Sequence, residues 1–200
     1  MNTVISISGS SGVGKTTLAK FIELVLETDN VVYLCGDDLH RWSRGNSNWD
    51  LYTHLDPSAN DLDKGYSDLL HIREGRSIKR KRYNHLTGTF DPEKEIQPNN
   101  YIIHEGLHGL LNKFSDISDI SIFVETDEDL KRQWKISRDT QKRGYTTQQV
   151  ENVLKRREFD EIKWILPQKE NADAVVWFDE KNKTVQMEYS AYTKESEVLL

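Results

Sequence analysis

The chain of 200 residues is long enough for one domain with a full hydrophobic core. Its 27 basic and 33 acidic side chains leave a net charge of −6, which argues against nucleic acid or a membrane as the main partner. The single cysteine, Cys35, has no internal disulfide partner and no apolar run approaches membrane-spanning length, so a compact cytoplasmic domain is expected.

The first elements surround a motif. Residues 3–8 are a short β-branched run that predicts a buried strand. Gly9-Ser10-Ser11-Gly12-Val13-Gly14-Lys15-Thr16 then spells G-x-x-x-x-G-K-[ST]. From Thr17 onward, Leu18, Phe21, Ile22 and Val25 recur at helical spacing and are expected to face the core. Between a strand and a helix, such glycines let backbone N–H groups and the helix N-terminus face anionic phosphates. Lys15 would reach the β and γ phosphates, and Thr16 would ligate Mg²⁺. The order implies a bound nucleoside triphosphate.

A second apolar run, residues 31–35, predicts a strand that ends in Gly36-Asp37-Asp38-Leu39-His40-Arg41. Residues 36–60 are polar, show little periodicity and read as a substrate-facing loop. Residues 61–73 predict a helix with Leu62, Tyr66, Leu69, Leu70 and Ile72 as its apolar stripe. Gly75, Gly88, Pro92 and Pro98 punctuate residues 75–98, which read as irregular chain with a short hairpin. Strands are expected over 101–104 and 120–124. Thr126 or Asp127 then caps a helix that runs to about Arg143 and stops at Gly144. Thr146-Thr147-Gln148-Gln149 opens another with a capping box. That helix is expected to turn Val150, Val153, Leu154, Ile162 and Ile165 inward and to end at Pro167. A late strand over 174–178, an edge strand over 185–189 and frayed last residues follow. The expected fold is α/β: a P-loop NTPase-type, mostly parallel sheet with helices on both faces. A single domain spans 1–200 with a helical lid over about 128–150, and the ligand lies at the carboxyl ends of the strands.

Phosphoryl transfer to a hydroxyl needs a base beside the cradle. Asp37, at the tip of the second strand, is the candidate, with Asp38 left to Mg²⁺ or the backbone; capping of a turn is the plain structural alternative. Glu105, at the next strand end, is the candidate acid near Mg²⁺, against a capping or surface glutamate. Along 128–143, Lys131, Lys135, Arg138 and Lys142 make one basic face, of which Lys131 and Lys142 read as solvated. Lys135 and Asp139 stand at i, i+4 and are able to pair. Arg138 and Arg143 bracket the end of that helix before a glycine hinge, as a lid supplying cations to a transferring phosphoryl group would. His40 and Arg44 suit a phosphorylated acceptor, and Tyr83 and His85 would reach one through polar groups on a loop, with structural hydrogen bonding as the alternative. Arg41 and the run Lys79-Arg80-Lys81-Arg82 read as solvated surface. A switch-type GTPase is set aside because no Asn-Lys-x-Asp segment is present.

Taken jointly, GSSGVGKTT, GDDLHRWSR, THLDPSAND, RYNHLTGTF, IIHEGLHG, WKISRDTQKRGYT and LPQKENADAVV resemble the phosphoribulokinase/uridine kinase family of P-loop kinases. The resemblance runs from residue 3 to about 178, and several segments look closer to phosphoribulokinases. It implies transfer of the ATP γ-phosphoryl group to an alcohol, with Mg²⁺. The expected acceptor is D-ribulose 5-phosphate; the alternative is a uridine or cytidine kinase, or a kinase of another pentose or polyol phosphate. By position, Asp37 is implied as catalytic base, Lys15, Thr16 and Glu105 serve ATP and Mg²⁺, and Asp139 falls on a further acidic residue important for catalysis. His40, Arg44, Tyr83, His85, Lys135, Arg138 and Arg143 fall on positions that bind the sugar phosphate or the transferring group. Members with a redox cysteine pair place one in the P-loop, where this chain has Val13; Cys35 matches the second. The expected partners are a small sugar phosphate or nucleoside and, in a homo-oligomer, further copies of the chain. A nucleotide-binding regulator without catalysis is the remaining alternative.

Overall fold

Seven residues, Thr3–Gly9, form strand β1 at the centre of the computed structural model, which describes residues 1–179 and 184–189. Helix α1 (Lys15–Val25), β2 (Val31–Cys35), the short α2 (Asn48–Leu51) and α3 (Leu62–Arg73) follow. Then come β3 (Ile78–Arg80), β4 (Tyr83–Asn84), β5 (Thr89–Phe90), β6 (Lys94–Ile96), β7 (Tyr101–Glu105) and α4 (Asn112–Ser115). The described order closes with β8 (Ile120–Thr126), α5 (Glu128–Arg143), α6 (Thr147–Asp160), β9 (Ala174–Asp179) and β10 (Thr184–Tyr189). The expected fraying of the last residues lies outside the described residues. Among those described, no helix is long and apolar enough to cross a membrane.

The main sheet runs β10-β9-β8-β1-β7-β2 and is parallel throughout except for β10, the antiparallel edge. Alternate residues of its inner strands serve two cores, as a sheet covered on both faces requires. Val4, Val32, Leu34 and Ile102 meet Leu69 and Ile72 of α3 and Phe114 of α4 on one face. Ile5, Ile7, Ile103, Val124 and Val176 meet Ala19 and Leu18 of α1 on the other. The register decides where the chemistry sits. Glu105 is paired with Ile7 of β1 on one side and Cys35 of β2 on the other, so the turns leaving those two strands flank it.

The expected mostly parallel α/β sheet is present, and four local expectations are corrected. Helix α1 buries Ala19 and packs Leu18, Ile22 and Leu26 against the core, leaving Phe21 and Val25 exposed: the period was right and its phase one residue off. The helix opened by Thr146 does not run to Pro167. It gives way to a π-helical turn at Glu161–Ile165 and a 3-10 segment at Leu166–Asn171, with Pro167 in that segment's first turn. The wider π turn rotates the face, so Ile165 is buried while Ile162 points to solvent. Residues 75–98 hold two small antiparallel pairs, β3 with β6 and β4 with β5, the second nested in the first. Lys131 and Arg80, read as solvated, are 5% and 3% exposed and paired with acids remote in sequence, Glu161 and Asp68.

Candidate active site

The turn after β1 keeps the conformation its glycines allow. Gly9, Gly12 and Gly14 take φ of 140°, 101° and 97°, and a Cβ on Gly9 would stand 2.3 Å from the Val124 carbonyl oxygen. Helix α1 begins at Lys15, so its first N–H groups open onto the turn. The Lys15 ammonium is buried and donates to the Ser10 carbonyl at 2.9 Å. Burial draws its pKa down, with Glu105 and Asp37 opposing. Gln168, from the Leu166–Asn171 segment, anchors the cradle from behind. Its amide oxygen accepts from the Ser8 hydroxyl and the Leu110 N–H, and its amide nitrogen donates to the Leu107 and Trp164 carbonyls.

Glu105 is brought beside this turn by the pairing of β7 with β1. Its Oε2 accepts from Thr16 at 3.4 Å and from the Tyr33 hydroxyl at 2.5 Å. Burial, and then the Glu105 charge, push the Tyr33 phenol far above its ordinary pKa, so it remains a donor. One hydroxyl and one carboxylate, both hard oxygen donors, suit Mg²⁺, which takes few protein ligands and fills its shell with phosphate and water. No cluster of three or more His, Cys, Asp or Glu able to hold a metal exists among the described residues.

On the other flank of Glu105, β2 ends in a 3-10 turn, Gly36–Leu39, that carries Asp37. Asp37 Oδ2 is 3.1 Å from His85 Nε2 and Oδ1 is 3.5 Å from His40 Nε2. Burial alone would raise its pKa. The His85 hydrogen bond, with the charges of His40, His85 and Lys15, instead holds it well below the usual carboxylate range. His40 is oriented by Asn60, whose amide oxygen lies 2.8 Å from Nδ1. Asp38 turns away and accepts the Tyr83 backbone N–H at 2.7 Å, tying the base turn to β4. The Tyr83 ring packs edge-on against both His40 and His85. Arg44 donates to the His85 carbonyl at 2.6 Å and lies 5.6 Å from the centre of the Tyr145 ring.

Helix α5 delivers a second charge cluster. Asp139 accepts from Lys135 at 3.1 Å and Arg138 at 2.9 Å, and Arg143 is 3.4 Å from it. The pair expected at i, i+4 is thus present, and the two arginines expected to bracket the helix end converge on one carboxylate. Lys135 is 2% exposed and its ammonium lies 3.4 Å from the Ser11 hydroxyl in the cradle. Burial, then Arg157 and Arg138, outweigh Asp139 and bring its pKa down to about 7. The sequence-predicted residues therefore gather in three adjacent groups: the cradle with Glu105, Asp37 with its histidines, and Asp139 with its cations. Arg41 and Lys142 stay exposed.

A model of the phosphoribulokinase / uridine kinase family matches residues 4–185. The chain belongs to this family. A phosphoribulokinase from Synechocystis is 33% identical over 174 residues, covering 86% of this chain and 52% of that relative. The chain spans about half the length of the curated phosphoribulokinases it matches. A Staphylococcus aureus uridine kinase is 34% identical over 155 residues, covering 75% of this chain and 74% of that one. The structure of phosphoribulokinase from Rhodobacter spheroides superposes with a TM-score of 0.71 at 26% identity, over 88% of this chain and 70% of that one. Membership in a family of P-loop kinases implies ATP use.

Several residues of the site escaped sequence reasoning. Tyr33 looked like one more apolar strand residue, although alternation places it on the side of Cys35. Asn60 and His54 lie in the quoted THLDPSAND segment, but nothing local tells that they meet His40. Arg157 carried no signal, since its helix was read only for apolar residues. Its guanidinium lies 2.7 Å from His54 Nδ1 and feels the charges of both Asp139 and Asp37. Burial first, then Arg157, depress His54 to a pKa of about 2, so its ring is a neutral acceptor.

Proposed function

We propose that the chain is an ATP-dependent kinase that phosphorylates a hydroxyl of a small sugar phosphate, with D-ribulose 5-phosphate as the first acceptor to test. The observation that carries this reading is the Asp37 carboxylate in the turn after β2, 3.1 Å from His85 and 3.5 Å from His40. Asp37 takes the acceptor's hydroxyl proton as that oxygen attacks the γ-phosphorus. Lys15, Lys135, Arg138 and Arg143 neutralise charge on the phosphoryl oxygens. Asp139 holds the last three in place. Thr16 and Glu105 would hold Mg²⁺, which when bound supplies positive charge to the phosphates. His40, Arg44, Tyr83 and His85 would meet the acceptor, and α5 with the start of α6 would act as a lid within one domain that excludes water.

Uridine or cytidine kinase is the second reading. The aromatic group in the acceptor loop favours it: Trp49 stacks on His54 with centroids 3.9 Å apart, and Trp42 on Tyr52 at 5.7 Å. Such rings suit a nucleobase, whereas Arg44 suits a phosphate. An ADP-release assay over pentose phosphates, polyol phosphates, uridine and cytidine separates the readings. Turnover of ribulose 5-phosphate without uridine is expected. Turnover of a nucleoside alone would transfer the chain to the second reading, and no turnover with any acceptor would remove the kinase assignment.

A further inference from the structure

The turn that carries Asp37 is held along its length by one short stretch of chain. Arg80, at the end of β3, donates from Nη1 to the Cys35 carbonyl at 3.3 Å. The Tyr83 N–H donates to the Asp38 carboxylate at 2.7 Å, and His85 Nε2 lies 3.1 Å from Asp37 itself. Cys35 is the last residue of β2, so Arg80 holds the point at which the base turn leaves the strand. The turn has little room on its other side. Gly36 lies against Gly106, where a Cβ on either would come within 2.8 or 2.9 Å of the other's Cα.

Arg80 is itself fixed. Its Nε donates to Asp68 Oδ2 of α3 at 3.1 Å, and both side chains are buried. Lys64, one helical turn earlier, donates to both Asp68 oxygens at 2.9 and 3.1 Å and to the Lys79 carbonyl at 3.0 Å, which ties α3 to β3. Asp68 therefore has a cation without Arg80, and a guanidinium taken out of water is costly. Neutralising Asp68 does not account for Arg80; reaching from α3 to the Cys35 carbonyl does. The planar fork of an arginine makes both contacts at once, which a single ammonium does not. After the Tyr83 N–H, Arg80 also opposes the burial that draws Asp38 toward its neutral form.

Resting on the reading of Asp37 as the base, we infer that Arg80 is a positioning residue for that carboxylate. Anchored on α3 through Asp68, it fixes the start of the base turn and so aims Asp37 at the acceptor hydroxyl.

A double-mutant cycle on kcat, with MgATP and the acceptor turned over in the ADP-release assay, separates aiming from general support of the fold. Arg80→Met should lower kcat roughly 10- to 100-fold, the cost of up to about an ångström of misplacement, and leave ATP KM unchanged. In an Asp37→Asn background the same change should cost no more than about twofold, because no base remains to be aimed. Arg80→Lys keeps a cation beside Asp68 without the fork and should lower kcat about fivefold or more, the worth of one lost hydrogen bond. It carries the same cycle if Arg80→Met does not fold. A folded variant with kcat within about twofold of wild type overturns the positioning role, as does an equal fractional loss in both backgrounds. Near-normal kcat in Asp37→Asn alone, or a wild type without turnover, removes the base reading itself, which is a separate failure.

Discussion

At Asp37, opposing effects of similar kind decide the outcome. Desolvation favours the protonated carboxyl, but a hydrogen bond from His85 and nearby positive groups favour the anion, and the anion wins. The group is thus ionised at neutral pH before the acceptor arrives. Asp37→Asn should lower kcat by about 10²- to 10⁴-fold, the usual worth of a general base, while ADP affinity stays within about twofold. Steady-state rates and calorimetry check both halves, and near-normal kcat would remove Asp37 as the base. Lys135 makes the opposite case, since burial and neighbouring guanidiniums bring it down to about 7. Its ammonium is therefore largely lost above that pH in the free protein, and an anionic phosphate beside it restores the proton. ADP binding at pH 8 should take up to about one proton per nucleotide, and affinity should fall as pH rises through 7. Calorimetry in buffers of different ionisation enthalpy reads the uptake, and Lys135→Met should abolish it.

Elements carry these residues by their ends. Helix α5 stops at Gly144, in the left-handed region at φ 73°, and α6 opens two residues later with the Thr146–Gln149 capping box. This short connection was legible because caps and glycine stops are local chemistry. What α6 does was not. Asp160 accepts from Thr53 at 2.6 Å, Arg156 donates to the Trp49 and Tyr52 carbonyls, and Arg157 meets His54, so one helix holds residues 49–54 of the acceptor loop. Asp160→Ala should raise acceptor KM several-fold, the worth of one half-buried hydrogen bond, with ATP KM unchanged. Equal changes in both constants would mean that α6 supports the cradle as well. The misplaced stripe on α1 has a simple cause. Phe21 and Val25 are spaced like Leu18, Ile22 and Leu26, and only the sheet beneath decides which of two adjacent stripes is covered.

At the scale of the molecule, the two-faced sheet supports the site from below, because Asp37 and Glu105 stand at strand tips and Lys15 and Thr16 open a helix packed on that sheet. Phe123 of β8, fully buried in a cluster with Leu55, Leu110 and Ile165, tests this support. Phe123→Ala should cost about 3–5 kcal/mol, seen as a lower urea midpoint. A loss under about 1 kcal/mol would show that this group of side chains is loosely packed. The amino-acid sequence alone determined the phosphate cradle, the strand periods and the carboxylate after β2, because each depends on residues within one short stretch. Tertiary structure decided that β1 lies between β7 and β8, which brings Glu105 to Thr16. It also decided that Arg80 and Lys131 are buried partners of distant acids, and that Arg157 reaches His54, 103 positions away. Local propensity has no term for such pairs: they form where burial on two separate segments leaves charges facing each other in a space that water has left.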